Sequence, residues 1–168
     1  MALCLGYWHK HRELDSDYSK YLGPDYKANK FQGKRVSTIV ANHVTFVDIL
    51  VWNSVIAAPS YAVAAFIKKL PFGALYTDSM GCIHIERAQS KEGLEKIIEQ
   101  IKDRQRLMET SDLDYAPIMI FAEGTVTNNK NISKFKRGAF AGLFAVQPAI
   151  IKYKYKRVAP DYCSVLGL

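Results

Sequence analysis

Two short runs constrain this chain most, because each is apolar and rich in β-branched residues and each breaks at once into a polar cluster. Val36 to Ala41 (VSTIVA) runs straight into Asn42-His43, and Pro117 to Phe121 (PIMIF) runs straight into Ala122-Glu123-Gly124-Thr125. Segments of this length and content read as buried strands. Tyr61 to Ile67, Cys82 to Ile85 and Val146 to Tyr153 (VQPAIIKY) read the same way. Between them the period becomes helical. Val47 to Ala58 suits a helix and Ala74 to Met80 a short one. Ser90 is placed to cap a longer helix that runs to about Met108, with Leu94, Ile97, Ile98 and Ile101 on one side and Lys, Glu and Arg on the other. Lys68 to Gly73 and Ser111 to Asp114 read as loops. Strands that alternate with helices predict an α/β fold: a single layered domain with a largely parallel central sheet flanked by helices. Ligands of such sheets gather beyond the carboxyl ends of the strands. Both polar clusters fall there, so they are expected to meet at one edge.

The chain has 168 residues, 49% of them hydrophobic, which is enough for one domain with its own core. Its formal net charge of +7 points to an anionic partner: nucleic acid, an anionic membrane surface or a phosphorylated substrate. A solvated basic surface accounts for the charge equally well. Cys4, Cys82 and Cys163 are odd in number and lack metal spacing, so free thiols in or facing a reducing compartment are expected. Ile49 to Ile67 is an uncharged stretch of 19 residues, long enough to raise the question of a membrane span. Asn53, Ser54, Pro59 and Ser60 interrupt it, and Pro59 favours a buried helix followed by a strand. Membrane contact is therefore expected to be peripheral, or carried by segments outside this chain.

Three clusters hold groups able to do chemistry. In Asn42-His43-Val44-Thr45-Phe46-Val47-Asp48 a histidine precedes an aspartate by five positions. On a continuous helix five steps turn about 500° and leave the side chains about 140° apart. With His43 in a loop and Asp48 in the first helical turn, the two can meet. The carboxylate then keeps one imidazole nitrogen protonated and leaves the other as a base. This is the logic of a catalytic triad with a substrate hydroxyl in place of the enzyme nucleophile. A structural histidine beside a helix-capping aspartate fits the same spacing. In Phe121 to Asn128 (FAEGTVTN), Gly124 permits a tight turn and Thr125 suits a phosphate or hydroxyl; an ordinary strand-to-loop turn reads alike. In Gly81 to Arg87 (GCIHIER), Arg87 suits bidentate phosphate binding, or a surface ion pair beside Glu86. His84 packs or faces solvent on this reading. Lys134, Lys136 and Arg137, interleaved with Phe135 and Phe140, suit a nucleic acid, a phospholipid headgroup or the phosphates of CoA.

Taken together and in order, these segments resemble the glycerolipid acyltransferases, and within them the lysophosphatidylcholine and lysophosphatidylethanolamine acyltransferases. The family's Asn-His-x4-Asp motif is matched by NHVTFVD, its Gly-x5-Arg motif by GCIHIER, its Phe-Pro-Glu-Gly-Thr motif by FAEGT, and its late strand proline by Pro148 in VQPAIIKY. The run TNNKNISKFKRGAF is also similar to the lysophosphatidylcholine type. The resemblance covers roughly residues 34 to 156. It implies an acyltransferase domain over 34–156, with 1–33 an N-terminal extension and 157–168 a C-terminal tail.

The resemblance further implies acyl transfer from acyl-CoA to the free hydroxyl of a lysophospholipid. His43 is then the general base and Asp48 its partner, while Arg87, Glu123, Gly124 and Thr125 bind the phosphate and glycerol. No metal, cofactor or acyl-enzyme is implied, acyl-CoA being a co-substrate. The implied partners are lysophospholipid, acyl-CoA and a membrane surface, with no nucleic acid. The implied location is membrane-associated. Two departures stand out. Ala122 replaces the proline of the third motif, which puts the stiffness of that turn in question. The chain also lacks the long continuation and clear hydrophobic anchors common in the family. The second fits a fragment, a reduced member or one subunit of a larger assembly alike, and both suit an alternative, a catalytically inactive structural or lipid-binding subunit of a membrane protein complex.

Overall fold

The fold was obtained as a computed structural model, which describes residues 12, 17, 19–24, 36–56, 59–86, 90–111, 116–128 and 130–154. In chain order the elements are α1 (Ser19–Leu22), β1 (Thr38–Ala41), α2 (Asp48–Val55), β2 (Ser60–Ala64), α3 (Gly73–Ser79), β3 (Ile83–Ile85), α4 (Lys91–Thr110), β4 (Ile118–Phe121) and β5 (Val146–Ala149). The strands form one sheet in the order β3-β2-β4-β1-β5. Every pairing is parallel. The expected α/β architecture is therefore the one found.

The chain crosses the sheet in both directions. From β1 it moves to β2 and β3 at one edge, then returns to β4 and on to β5 at the other. With parallel crossovers of one hand, opposite directions of travel put the intervening helices on opposite faces. The two cores follow this rule. Ile39, Ala41, Met119 and Tyr61 pack with Trp52 of α2. Val40, Ile118 and Ile120 pack with Ile101 of α4 and Ala139. Alternate residues of β1 and β4 thus feed opposite layers, and both faces are covered, which is why these strands read as near-continuous apolar runs.

The sequence places the elements closely, with two strand runs overextended; the run Val47 to Ala58 is helix only over Asp48–Val55, Ile56 being extended. The run Tyr61 to Ile67 is strand only as far as Ala64, and Ala65–Lys69 wind into a 3-10 helix. The run Val146 to Tyr153 is strand only as far as Ala149. In each case the neighbouring strand stops: Ala64 lies opposite Ile85, and Ala149 opposite Ala41. With no ladder to join, the backbone turns to local bonds such as Leu70 N–H to Ile67 O at 3.1 Å. The uncharged stretch Ile49 to Ile67 divides into helix and strand around Pro59, as expected. Among the described residues no helix is long and apolar enough to cross a membrane.

α4 begins where Ser90 accepts a hydrogen bond from Gly93 N–H at 3.1 Å, as its N-cap. Its buried positions are Ile101 and Gln105, while Leu94, expected on the inner face, is exposed. Gln105 donates to Thr38 Oγ1 at 2.9 Å and to the Ala139 carbonyl at 3.0 Å, so this buried amide ties the helix to β1.

Candidate active site

Strand register assembles the site. Ala41 lies opposite both Phe121 and Ala149, so β1, β4 and β5 end level. The residues that follow, Asn42-His43 and Ala122-Glu123-Gly124-Thr125, meet at this carboxyl edge as the sequence led one to expect.

His43 is held on every side but one. Its N–H donates to Glu123 Oε1 at 2.9 Å. Its carbonyl accepts from Thr127 N–H at 2.8 Å and from the Thr127 hydroxyl at 3.0 Å. Its ring stacks on Phe121, centroids 4.2 Å apart and planes 13° from parallel. Its Nδ1 lies 2.8 Å from Asp48 Oδ2. The side chain is 19% exposed, and with Nδ1 on the buried carboxylate, Nε2 is the nitrogen left to a ligand.

Asp48 opens α2 and is wholly buried. The loop between it and His43 folds back, so that Oδ2 also accepts from Val44 N–H at 2.6 Å and Thr45 N–H at 3.1 Å. Backbone donors and the positive end of the helix offset the cost of burying the charge. The five-residue spacing works because of this fold-back, which a continuous helix would forbid. Oδ1 accepts from the Tyr153 hydroxyl at 2.7 Å.

Glu123 is buried, and both of its oxygens are engaged: Oε1 by His43 N–H, Oε2 by Ser133 N–H at 2.7 Å. It joins the His43 loop to the 130s loop. Gly124 has φ +69, and a Cβ there would lie 2.5 Å from Lys136 Nζ. The turn therefore calls for glycine, and the ammonium lies against it. Gly124 and Thr125 are exposed at the site's rim. Ala122 donates to the Ala41 carbonyl at 3.2 Å and accepts from Lys136 N–H at 2.8 Å. A proline would lack the first of these bonds, so the departure at this position exchanges ring stiffness for one more hydrogen bond.

The other sequence candidates divide. Arg87 lies outside the described residues, as do Cys4 and Cys163. His84 packs, its Nε2 2.8 Å from Thr77 Oγ1. Cys82 is a free, half-buried thiol; burial pushes its pKa up, a hydrogen bond from the Tyr61 backbone offsetting part of the effect. Phe135 packs against the α4-side core rather than presenting a ring between the lysines. Phe121, Thr127 and Tyr153 were not singled out as site residues from sequence. Thr127 and Phe121 lay within a quoted motif and could have been found from it. Tyr153 closes the run VQPAIIKY, but nothing in that run marks it as a site residue.

The fold and this edge define a class: a parallel α/β sheet that presents a histidine–carboxylate pair beside a glycine turn, an arrangement suited to activating a hydroxyl. The chain belongs to the acyltransferase family, whose model, described as Acyltransferase, matches residues 25–153. It is 33% identical over 135 residues to Lysophospholipid acyltransferase LPEAT1 of Arabidopsis thaliana, covering 80% of this chain and 33% of that protein. It is 34% identical over 119 residues to Lysophospholipid acyltransferase LPCAT4 of Xenopus tropicalis, covering 70% of this chain and 22% of the relative. It is 27% identical over 134 residues to Glycerol-3-phosphate acyltransferase 3 of Homo sapiens, covering 76% and 28%. The chain thus spans about a third or less of the length of these relatives. No solved structure gives a significant match.

Proposed function

We propose that this chain transfers a fatty acyl group from acyl-CoA to the free hydroxyl of a lysophospholipid. The observation that carries the reading is the 2.8 Å contact of His43 Nδ1 with the buried Asp48 carboxylate, made at the edge where parallel sheets bind ligands. The names of the lysophospholipid acyltransferases that it resembles favour this acceptor.

His43 Nε2 takes the proton of the glycerol hydroxyl as its oxygen attacks the thioester carbonyl. Asp48 stabilises the imidazolium. The tetrahedral intermediate collapses, the C–S bond breaks, and CoA thiolate leaves with the proton returned from His43. Because the acceptor oxygen attacks the thioester directly, no acyl-enzyme forms. Gly124, Thr125 and Arg87 bind the acceptor's phosphate and glycerol, with Glu123 acting by holding the turn and the His43 loop in place. General-base assistance contributes roughly 10²–10⁴-fold, and positioning of the two substrates supplies the larger share.

Membrane association belongs to the same proposal. The 3-10 helix that starts where β2 ends, together with α3, leaves Phe66, Leu70, Phe72 and Leu75 exposed. Phe72 is 82% exposed at a left-handed φ of 61°. Lys69 lies among them, as does Lys68, which also meets Asp78 at 3.6 Å. Apolar rings with basic neighbours suit an anionic lipid surface.

The test is CoA release by the chain with acyl-CoA and a panel of lysophospholipids in liposomes, beside His43→Ala. Release that requires a lysophospholipid and falls about 10²–10⁴-fold in the variant is the expected result. A folded chain that binds lysophospholipid but releases no CoA is instead the noncatalytic lipid-binding subunit.

A further inference from the structure

One oxygen of Asp48 meets a residue from the far end of the described chain. Oδ2 is occupied by His43 and by the Val44 and Thr45 amides, whereas Oδ1 accepts from the Tyr153 hydroxyl, 105 positions later, at 2.7 Å. Tyr153 lies past the end of β5, beyond the reach of the strand ladder. What brings it there is Asn42. Its side-chain amide donates to the Ile151 carbonyl at 2.9 Å and its side-chain oxygen accepts from Ile151 N–H at 2.8 Å. This two-way clamp fastens the segment after β5 to the end of β1, two residues before Tyr153.

We infer that Tyr153 is a positioning residue for His43, acting through Asp48, and that the Asn42–Ile151 clamp delivers it. The terminal torsion of an aspartate is broad. Donors on one oxygen alone leave the carboxylate plane free to turn, and each turn carries Oδ2 away from Nδ1. A donor on Oδ1 as well fixes the plane. With Oδ2 fixed on Nδ1, that nitrogen keeps the proton and Nε2 stays the base. Because Asp48 is wholly buried, bulk water does not stand in for a lost hydroxyl. The clamp also gives Asn42, the residue preceding the histidine, a physical task that involves no contact with a substrate.

The kinetic half of this inference rests on the acyl-transfer reading; the structural half does not. Both are tested with Tyr153→Phe, which removes only the hydroxyl, and with Asn42→Ala, which removes the clamp. CoA release yields kcat and KM, and long-range proton–nitrogen correlation of the His43 ring, without substrates, yields its tautomer. Tyr153→Phe is expected to lower kcat about tenfold, equal to about 1.4 kcal/mol, with both KM values within about twofold. The ring is expected to change from the Nδ1–H form to a mixture. Asn42→Ala changes the ring in the same direction. A Tyr153→Phe ring spectrum and kcat equal to wild type overturn the inference. So does a fall in melting temperature and activity with the ring unchanged, since a merely structural tyrosine behaves that way. If the wild-type chain releases no CoA and the ring still responds to Tyr153→Phe, positioning stands and the acyl-transfer reading falls.

Discussion

Both carboxylate oxygens of Glu123 are taken by backbone amides, one from the loop that carries His43 and one from Ser133. Glu123→Gln keeps one acceptor but turns an NH₂ against an amide N–H. A buried donor left facing a donor costs about 1–3 kcal/mol. A melting temperature several degrees lower is expected in thermal unfolding, together with loss of CoA release as His43 is freed. Unchanged stability in that variant would show that the two Glu123 bonds are not made. That His43, Asp48, Glu123, Gly124 and Thr125 gather at one edge was legible because each stands in a short motif beside a strand end. The work of Glu123 was not, since an acidic residue before a glycine looks the same whether it faces substrate or a neighbouring loop. Tyr153 was illegible for a stronger reason: no local pattern connects position 48 with position 153.

At the scale of elements, period and caps were readable. Ser90 was expected to start the long helix, and its hydroxyl accepts from Gly93 N–H at 3.1 Å. Ser90→Ala is expected to cost about 1 kcal/mol of stability, measurable by urea unfolding as a lower midpoint with unchanged slope. An unchanged midpoint would mean that solvent serves the helix end as well as serine does. The strand ends were misread at Ala64 and Ala149 because apolar content shows what a segment can do, while a ladder also needs a neighbour. Leu94 erred in the other direction: its spacing fits the inner face, yet in the first turn of the helix its side chain is exposed.

For the whole molecule, the net charge of +7 left several anionic partners open. The proposed lipid surface rests on exposed Phe66, Leu70, Phe72 and Leu75 with Lys68 and Lys69 among them, in the segment that follows β2 at the carboxyl end. Burying a phenylalanine in a lipid interface contributes about 1.5–3 kcal/mol. Phe72→Asp is therefore expected to weaken binding to anionic vesicles about tenfold or more in a sedimentation assay. Equal binding by the variant would move the membrane contact to another face.

The sequence by itself determined the alternation of strand and helix, the cap at Ser90, the break at Pro59 and the polar residues at two strand ends. These are local properties, set by side-chain period, backbone preference and immediate neighbours. Tertiary structure alone decided the strand order β3-β2-β4-β1-β5 and the level register of Ala41, Phe121 and Ala149. On that register rest the two-loop grip of Glu123 and, through the Asn42–Ile151 clamp, the arrival of Tyr153 at the buried carboxylate. Which strand lies beside which depends on how both faces of the sheet are covered at once, and no window of sequence contains that information.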